Sequence, residues 1–458
     1  MASSADLTTR LIEALLKEAA SLMADGRTRS ALSRCYRALL LRPGDHRCLR
    51  LAGDVHAAAG DEESALRCHR GAMPEADEAR YLDAPLHAAR ARSLQSPGDV
   101  RTRPAHDAER VPLTPPNGLH RADALPQFRY ESTDARASFV TEIEGGEVWF
   151  DGFNTLVMDR GRRIVGPSSK GNAALARAAA LPCEPLALAG TACFLDARSA
   201  PIYYHWMLDV LPKLEVLESA GIALDDIDHF VVRADAAFCR ETLRRCGIDP
   251  ERVVTPPDGM HVSADRLLVP WLKNALGARV NRGLGLGLAS WIPAWLRARF
   301  VTAATTAEPA GERLYISRAK RGTRGVLAED ELVSALAERG FRTVCPEEHP
   351  VAEQAAMFDR ASVVVGVHGA GLTNTAFCRP GTLVVEIFGD YVVPCYWALA
   401  ALAGLDYAHY LSEDAGDRDG ASGRDQAARR ADGVQLDPQH FSAWLDERLA
   451  SRRGSARS

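Results

Sequence analysis

Val363-Val-Val-Gly-Val-His-Gly-Ala-Gly-Leu-Thr-Asn374 is an apolar run that ends in a glycine-rich turn and opens a helix. On its amino-terminal side the chain alternates in the same way. Strand Arg313–Ile316 leads to helix Glu329–Arg339, strand Arg342–Val344, helix Val351–Asp359 and strand Ser362–Val367. Beyond the turn come helix Leu372–Cys378, strand Thr382–Phe388, helix Val393–Ala403 and strand Tyr407–Tyr410. Alternation with short connections predicts a parallel sheet covered on both faces, with the turn at the carboxyl edge where ligands bind. Residues Glu413–Gly433 read as polar and Phe441–Ser451 as a final amphipathic helix.

A second alternating unit precedes it. Leu186–Ala189, Ala192–Leu195, His229–Val232, Val253–Val254 and Arg266–Val269 read as strands, and Tyr203–Ala220, Ala236–Cys246 and Ala289–Phe300 as helices. The run Gly283–Gly287 looks like a phosphate loop only superficially, since no strand feeds it. Two α/β units in tandem predict a ligand in the cleft between them. Before them, Ala137–Glu142, Glu147–Phe150, Asn154–Met158 and Arg163–Val165, separated by Gly145-Gly146, Asp151-Gly152 and Gly161, read as antiparallel hairpins. Residues 93–127, rich in Pro, Arg, Ser, Gly and Asp, read as a linker or an irregular surface crossing.

The front of the chain, residues 1–92, reads as all-helical and contains a repeat. Gly26, Ser30, Ala31, Leu32 and Ala38 return 34 positions later as Gly60, Ser64, Ala65, Leu66 and Ala72. This period resembles the tetratricopeptide (TPR) repeat, in which small residues let paired helices approach closely. At most two units are visible, one without a clear first helix, so the segment is either a bundle docked on its neighbour or a groove for a protein partner.

Length and composition fit this layout. At roughly 150 residues per domain, 458 residues suggest about three units. Hydrophobic residues at 47% and charged residues at 25% exclude a mostly disordered chain. With 55 Lys and Arg against 60 Asp and Glu, the formal charge of −5 argues against wholesale nucleic-acid binding. The first residues lack a basic, then apolar, secretory pattern, and no window approaches the roughly 20 apolar residues of a spanning helix. The ten cysteines form no CxxC pair and read as reduced and buried. The expected location is cytoplasmic, at most peripheral to the inner face of the cell membrane, and the Arg- and Ala-rich composition hints at a bacterium.

Four features carry chemistry. The turn at His368-Gly369-Ala370-Gly371 offers backbone N–H groups to an anion without a metal, though helix starts often hold glycines. It lacks the Gly-Lys-Ser/Thr of a Walker loop and matches only the first two glycines of the dinucleotide fingerprint. Glu386, in Val384-Val-Glu-Ile387, is either an acid gripping ribose hydroxyls or a polar end to a buried strand, and the expense of burying it unpaired favours the ligand role. His205 and Asp209 stand at i and i+4 in Ile202-Tyr-Tyr-His-Trp-Met-Leu-Asp-Val-Leu-Pro212, as a general-base pair or as an internal hydrogen bond. Beside them, Tyr204 and Trp206 suit the faces of sugars. Arg318, ending Tyr315-Ile-Ser-Arg318, suits a departing diphosphate, whereas Lys320, Arg321 and Arg324 fit a solvated run. The acidic Asp225-Asp-Ile-Asp228 resembles a metal-binding DxD but fits an exposed loop better.

Together, Tyr204-His-Trp-Met-Leu-Asp-Val-Leu-Pro212, Leu314-Tyr-Ile-Ser-Arg318, Glu353-Gln354, His368-Gly-Ala-Gly-Leu-Thr-Asn374 and Val385-Glu-Ile387 resemble glycosyltransferase family 61 over roughly residues 130–410. The resemblance implies a GT-B arrangement of two Rossmann-like domains facing a cleft and inverting, metal-independent transfer from a nucleotide-diphosphate sugar, with no further cofactor. The expected layout is a TPR-like segment at 1–92, a linker at 93–127, an acceptor-side domain at 128–300 and a nucleotide-sugar domain at 301–458. Asp209 or His205 would be the base, Tyr204 and Trp206 would face the acceptor, and Arg318, His368, Gly369, Ala370, Gly371, Asn374 and Glu386 would hold the donor. Bacterial relatives in the family point to a carbohydrate acceptor in surface or capsular polysaccharide synthesis. The alternative is a non-catalytic nucleotide- or carbohydrate-binding scaffold of a polysaccharide assembly complex, recruited through the front helices. A nicotinamide oxidoreductase ranks third, because the fingerprint is incomplete.

Overall fold

The computed structural model describes residues 4–42, 45–71, 100–116, 128, 130–150, 155–161, 164–165, 168–169, 185–197, 200–256, 260–272, 287–301, 311–319, 325–389, 392–412 and 433–455. It is a mixed α/β structure with two principal sheets. Residues 283–286 and 413–432 lie outside the described residues, as do 93–99 and 117–127 of the expected linker.

Four helices stand first: α1 (Ser4–Ala24), α2 (Thr28–Leu41), α3 (His46–Ala58) and α4 (Glu62–His69). Here α1 packs on α2 and α3 on α4, with Gly26 and Gly60 in the equivalent turns. Helix α1 is a full 21 residues where the sequence shows no clear first helix. Asp45 and Asp61 cap α3 and α4 by accepting from the N–H groups of Arg47 and Ser64. The small residues Ala31, Ala38, Ala52 and Ala65 are buried between the helices, and the cluster rests on Trp149, Leu156 and Met158 of the first sheet.

The strands that follow are β1 (Val100–His106), β2 (Glu109–Pro112), β3 (Ser132–Ala135), β4 (Ser138–Glu144), β5 (Glu147–Phe150), β6 (Thr155–Met158), β7 (Leu186–Phe194), β8 (His229–Val231), β9 (Val253–Val254) and β10 (Met260–Trp271). The first sheet has the order β1-β4-β10-β7-β8-β9, with β5 pairing β10 and β6. Two expectations change here. Within the expected linker, β1 is a strand antiparallel to β4, and β2 pairs β3. Strand β1 lies at the sheet edge, where its arginines meet water and Pro104, at a register shift, breaks no inner ladder. Gly145-Gly146 does not close a hairpin, because β4 and β5 both run antiparallel to the long β10. Gly145, at φ +63°, is a kink that lets one edge follow the bend of the other.

Helix α5 (Lys213–Ser219) is preceded by a short turn, Tyr203–His205, and a π-helical turn, Trp206–Val210. Then come α6 (Ala237–Arg245) and α7 (Trp291–Phe300). The second sheet comprises β11 (Glu312–Ile316), β12 (Phe341–Val344), β13 (Ala361–Val367), β14 (Leu383–Phe388) and β15 (Asp406–Leu411), all parallel, in the order β12-β11-β13-β14-β15. Helices α8 (Glu329–Ala337), α9 (Val351–Arg360), α10 (Cys395–Leu402) and α11 (Pro438–Ser455) flank it. Tyr315, Val363, Val365, Val385 and Ile387 pack with α8 and α11 on one face. The alternate residues Leu314, Ile316, Val364 and Val384 join α9 and α10 on the other, which explains the unbroken apolar runs.

That second cluster continues without a break into Leu195, Trp206, Leu211, Phe230 and Leu243 beside the first sheet. Polar ties reinforce it. Glu241 of α6 accepts from the N–H groups of Val351 and Ala352, capping α9 at 2.9 and 3.0 Å. Arg297 of α7 donates to buried Asp359 at 2.8 Å and to the Phe377 carbonyl. Among the described residues, no helix is long and apolar enough to cross a membrane.

Candidate active site

The chain leaves β11 for β12 on one side and returns to β13 on the other, so strand order reverses between β11 and β13. Open parallel sheets bind ligands outside the carboxyl ends at such a point. Here those ends carry Ser317-Arg318 and His368-Gly369. Glu329, opening α8, accepts from the Tyr315 hydroxyl at 2.8 Å and the Arg318 N–H at 3.3 Å, and so fixes the strand's exit. Gly369 has an extended backbone that any residue could adopt. What it requires is space, because a Cβ there would collide with the Arg318 guanidinium. The guanidinium thus lies directly over the glycine-rich turn, and the helix expected at Leu372–Cys378 is a 3-10 helix over Ala370–Phe377.

Beneath the turn, Glu386 is fully buried. One oxygen accepts from Nδ1–H of His368 at 2.5 Å and the other from the Tyr407 hydroxyl at 2.5 Å. Burial and the adjacent carboxylate push the Tyr407 phenol well up, so it stays a neutral donor. Both Glu386 oxygens are thus engaged within the protein, and one of them orients His368, whose ring also stacks on Phe388. Asn374 is likewise buried and bonded on both amide ends. Its oxygen accepts from Tyr203 at 2.6 Å, and its nitrogen donates to Gln354 at 2.7 Å and to the Gly371 carbonyl at 3.2 Å. Both side chains, expected to hold the donor, are here buried and engaged by other residues of the protein.

Facing this edge, His205 Nδ1–H donates to Asp209 at 2.6 Å, with 18% and 15% of the two side chains exposed. The pair is enclosed yet open to a substrate. The bond fixes the ring and directs proton exchange to Nε2. The π-helical turn starts directly after His205 and contains Asp209, a geometry common at functional sites. It also turns Trp206 fully inward, where Nε1 donates to Thr242 at 2.8 Å. Trp206 is a core residue and cannot face an acceptor. Tyr204 stays partly exposed, edge-on to the His205 ring at 5.2 Å and to Tyr396 at 5.7 Å. Tyr396 in turn lies 5.5 Å from His368. Ring contacts thus run from one imidazole–carboxylate pair to the other.

Tyr396, Tyr407 and Gln354 as a hydrogen-bonding residue were missed from sequence. Tyr407 stands two residues before His409, the register partner of Glu386, hence on the same sheet face. That signal is readable only once the register is known. Asp228 accepts from the Thr191 N–H at 2.7 Å, and Asp225 is exposed. Among the described residues, no three His, Cys, Asp or Glu side chains gather as metal ligands. Burial pushes the thiols of Cys35, Cys48, Cys239 and Cys246 up to about 12, where they are inert.

Residues 203–385 match the family model described as Glycosyltransferase 61, a narrower span than the sequence suggests. Protein O-linked-mannose beta-1,4-N-acetylglucosaminyltransferase 2 of Tetraodon nigroviridis is 41% identical over 117 residues, which is 24% of this chain and 20% of that protein. The human protein of the same name is 36% identical over 122 residues, 24% of this chain and 21% of its own length. The EGF domain-specific O-linked N-acetylglucosamine transferase of Drosophila melanogaster is 30% identical over 112 residues, 23% and 22% of the two chains. The chain thus covers no more than 22% of these relatives. The segment holding His205, Asp209, Arg318 and the glycine-rich turn is the part of the chain that this family model matches. Residues 203–385 belong to the Glycosyltransferase 61 family.

Proposed function

We propose that the chain is an inverting, metal-independent glycosyltransferase that moves a sugar from a nucleotide-diphosphate donor to a carbohydrate hydroxyl. The observation that carries this reading is the series of ring contacts, His205–Tyr204–Tyr396–His368, that links two built elements: the His205–Asp209 pair, and Arg318 lying over Gly369 beside the oriented His368. In the GT-B arrangement the unit at 128–300 takes the acceptor and that at 301–458 the donor. His205 Nε2 removes the acceptor proton while the oxygen attacks the anomeric carbon from the face opposite the leaving group. Asp209 holds the ring and stabilises the imidazolium. The bond to the diphosphate breaks with its electron pair on phosphate, where Arg318, His368 and the N–H groups of Ala370 and Gly371 meet the growing charge. This cationic and N–H donor set is what a metal would otherwise supply.

The names of the relatives make N-acetylglucosamine the first sugar to test, supplied in its usual activated form, UDP-N-acetylglucosamine. A protein-linked mannose and a bacterial surface polysaccharide, made in the cytoplasm, are the two acceptor classes. Thermal unfolding in the presence of a chelator, across a panel of nucleoside diphosphates and their sugars, tests the donor site. Ligand at about 100 times its Kd should add roughly 2.7 kcal/mol of stability. A shift for one nucleotide family supports the reading, and no shift for any of them contradicts it.

A further inference from the structure

The side chains that join the two halves of the site form a hydrogen-bonded line. The Tyr203 hydroxyl, two residues before His205, donates to Asn374 Oδ1 at 2.6 Å. The Asn374 amide nitrogen donates to Gln354 Oε1 and to the Gly371 carbonyl in the glycine-rich turn. Gln354 Nε2 donates to the His349 carbonyl at 2.8 Å, anchoring the line on the loop before α9. Asn374 and Gln354 are buried. Burial also pushes the Tyr203 phenol up, so it remains a donor. A buried amide with three bonds in place has one orientation, and that orientation fixes the Gly371 carbonyl relative to the turn bearing His205.

Resting on the glycosyltransferase reading, we infer that Tyr203, Asn374 and Gln354 are positioning residues. They set the base at His205 against the diphosphate site at Gly369–Gly371 and transmit occupancy of one to the other. They touch neither substrate. A misplacement of reacting groups by about 1 Å can reduce the rate a hundredfold, so a line of this kind acts on turnover rather than on donor binding.

Tyr203→Phe tests this. Phe keeps the edge contact with Phe238 at 5.3 Å and removes only the hydroxyl, so the chain folds. The readout is amide hydrogen exchange on full-length protein with and without UDP. In wild type, UDP slows exchange in 369–377 and also in 203–211; in Tyr203→Phe it slows 369–377 alone, with UDP affinity unchanged. With substrate, kcat falls and KM for the donor stays. Protection of 203–211 persisting in the variant overturns the inference, as does its absence in wild type while UDP binds. If neither UDP nor any other nucleoside diphosphate binds wild type, the glycosyltransferase reading fails instead. Ligand-free exchange then decides the inference: faster exchange of both segments in Tyr203→Phe upholds the line, and unchanged exchange overturns it.

Discussion

The Tyr407 hydroxyl donates to Glu386 at 2.5 Å on the oxygen opposite the one that holds His368. An acid placed in an apolar strand thereby avoids an unpaired charge without touching a ligand. Glu386→Gln puts an amide N–H against one of two donors. It should lower stability by about 1–3 kcal/mol and weaken UDP binding by releasing the His368 ring. With both Glu386 oxygens engaged by His368 and Tyr407, the ratio of affinities for UDP and 2′-deoxy-UDP should not change. Calorimetric titration with both nucleotides checks this, and a collapsed ratio would restore the ribose role.

Arg318 and Gly369 occupy one space. Arg318→Ala removes the guanidinium, and Gly369→Ala displaces it, since the new methyl group takes its position. Both should weaken UDP binding by about 10–100-fold, the worth of one or two charge-assisted hydrogen bonds. The uridine nucleoside, lacking phosphate, should bind all three proteins alike.

His205→Asn and Asp209→Asn should each lower kcat by about 10²–10⁴-fold while leaving UDP affinity intact. Asp209→Asn presents an N–H to Nδ1, which reverses the tautomer and blocks Nε2 as the base. Steady-state kinetics on both variants, with the double variant no worse than the poorer single one, would mark them as one unit. Turnover surviving both changes would dismiss the pair as the base.

Asp359 accepts from Arg379 and Arg297 at 2.7 and 2.8 Å. Burial raises its proton affinity, but the hydrogen bonds from Arg379 and Arg297 outweigh it and hold the carboxyl below its ordinary 3.8. A folded value below the unfolded one gives stability that is present above about pH 4 and lost as pH falls through the folded value. Asp359→Asn should cost about 3 kcal/mol at neutral pH, leaving two arginines without their anion. The gap from wild type in urea titrations should narrow as pH falls below the ordinary carboxyl value of 3.8. A gap constant with pH would show a packing effect instead.

The second sheet was legible because its central strands β13 and β14 are apolar at nearly every position and strands alternate regularly with helices. His205 with Asp209 was legible for the same local reason. The partners of residues paired far along the chain were not legible. Asn374 meets Tyr203 across 171 positions, and Glu386 meets Tyr407 across 21. Trp206 was misplaced because a π-helical turn rotates it inward against Thr242, and nothing in its neighbours announces that turn. Strand β1 was hidden by its arginines and Pro104, which only an edge position tolerates.

The most direct test of the central claim is proton NMR of the first glycosidic product formed from UDP-N-acetylglucosamine and a mannoside in chelator. The account predicts a β-linked product from the α-linked donor, absent with Asp209→Asn. An α-linked product would contradict the inverting mechanism. Intact donor, with other nucleotide sugars and saccharide acceptors equally untouched, would contradict glycosyl transfer by this chain.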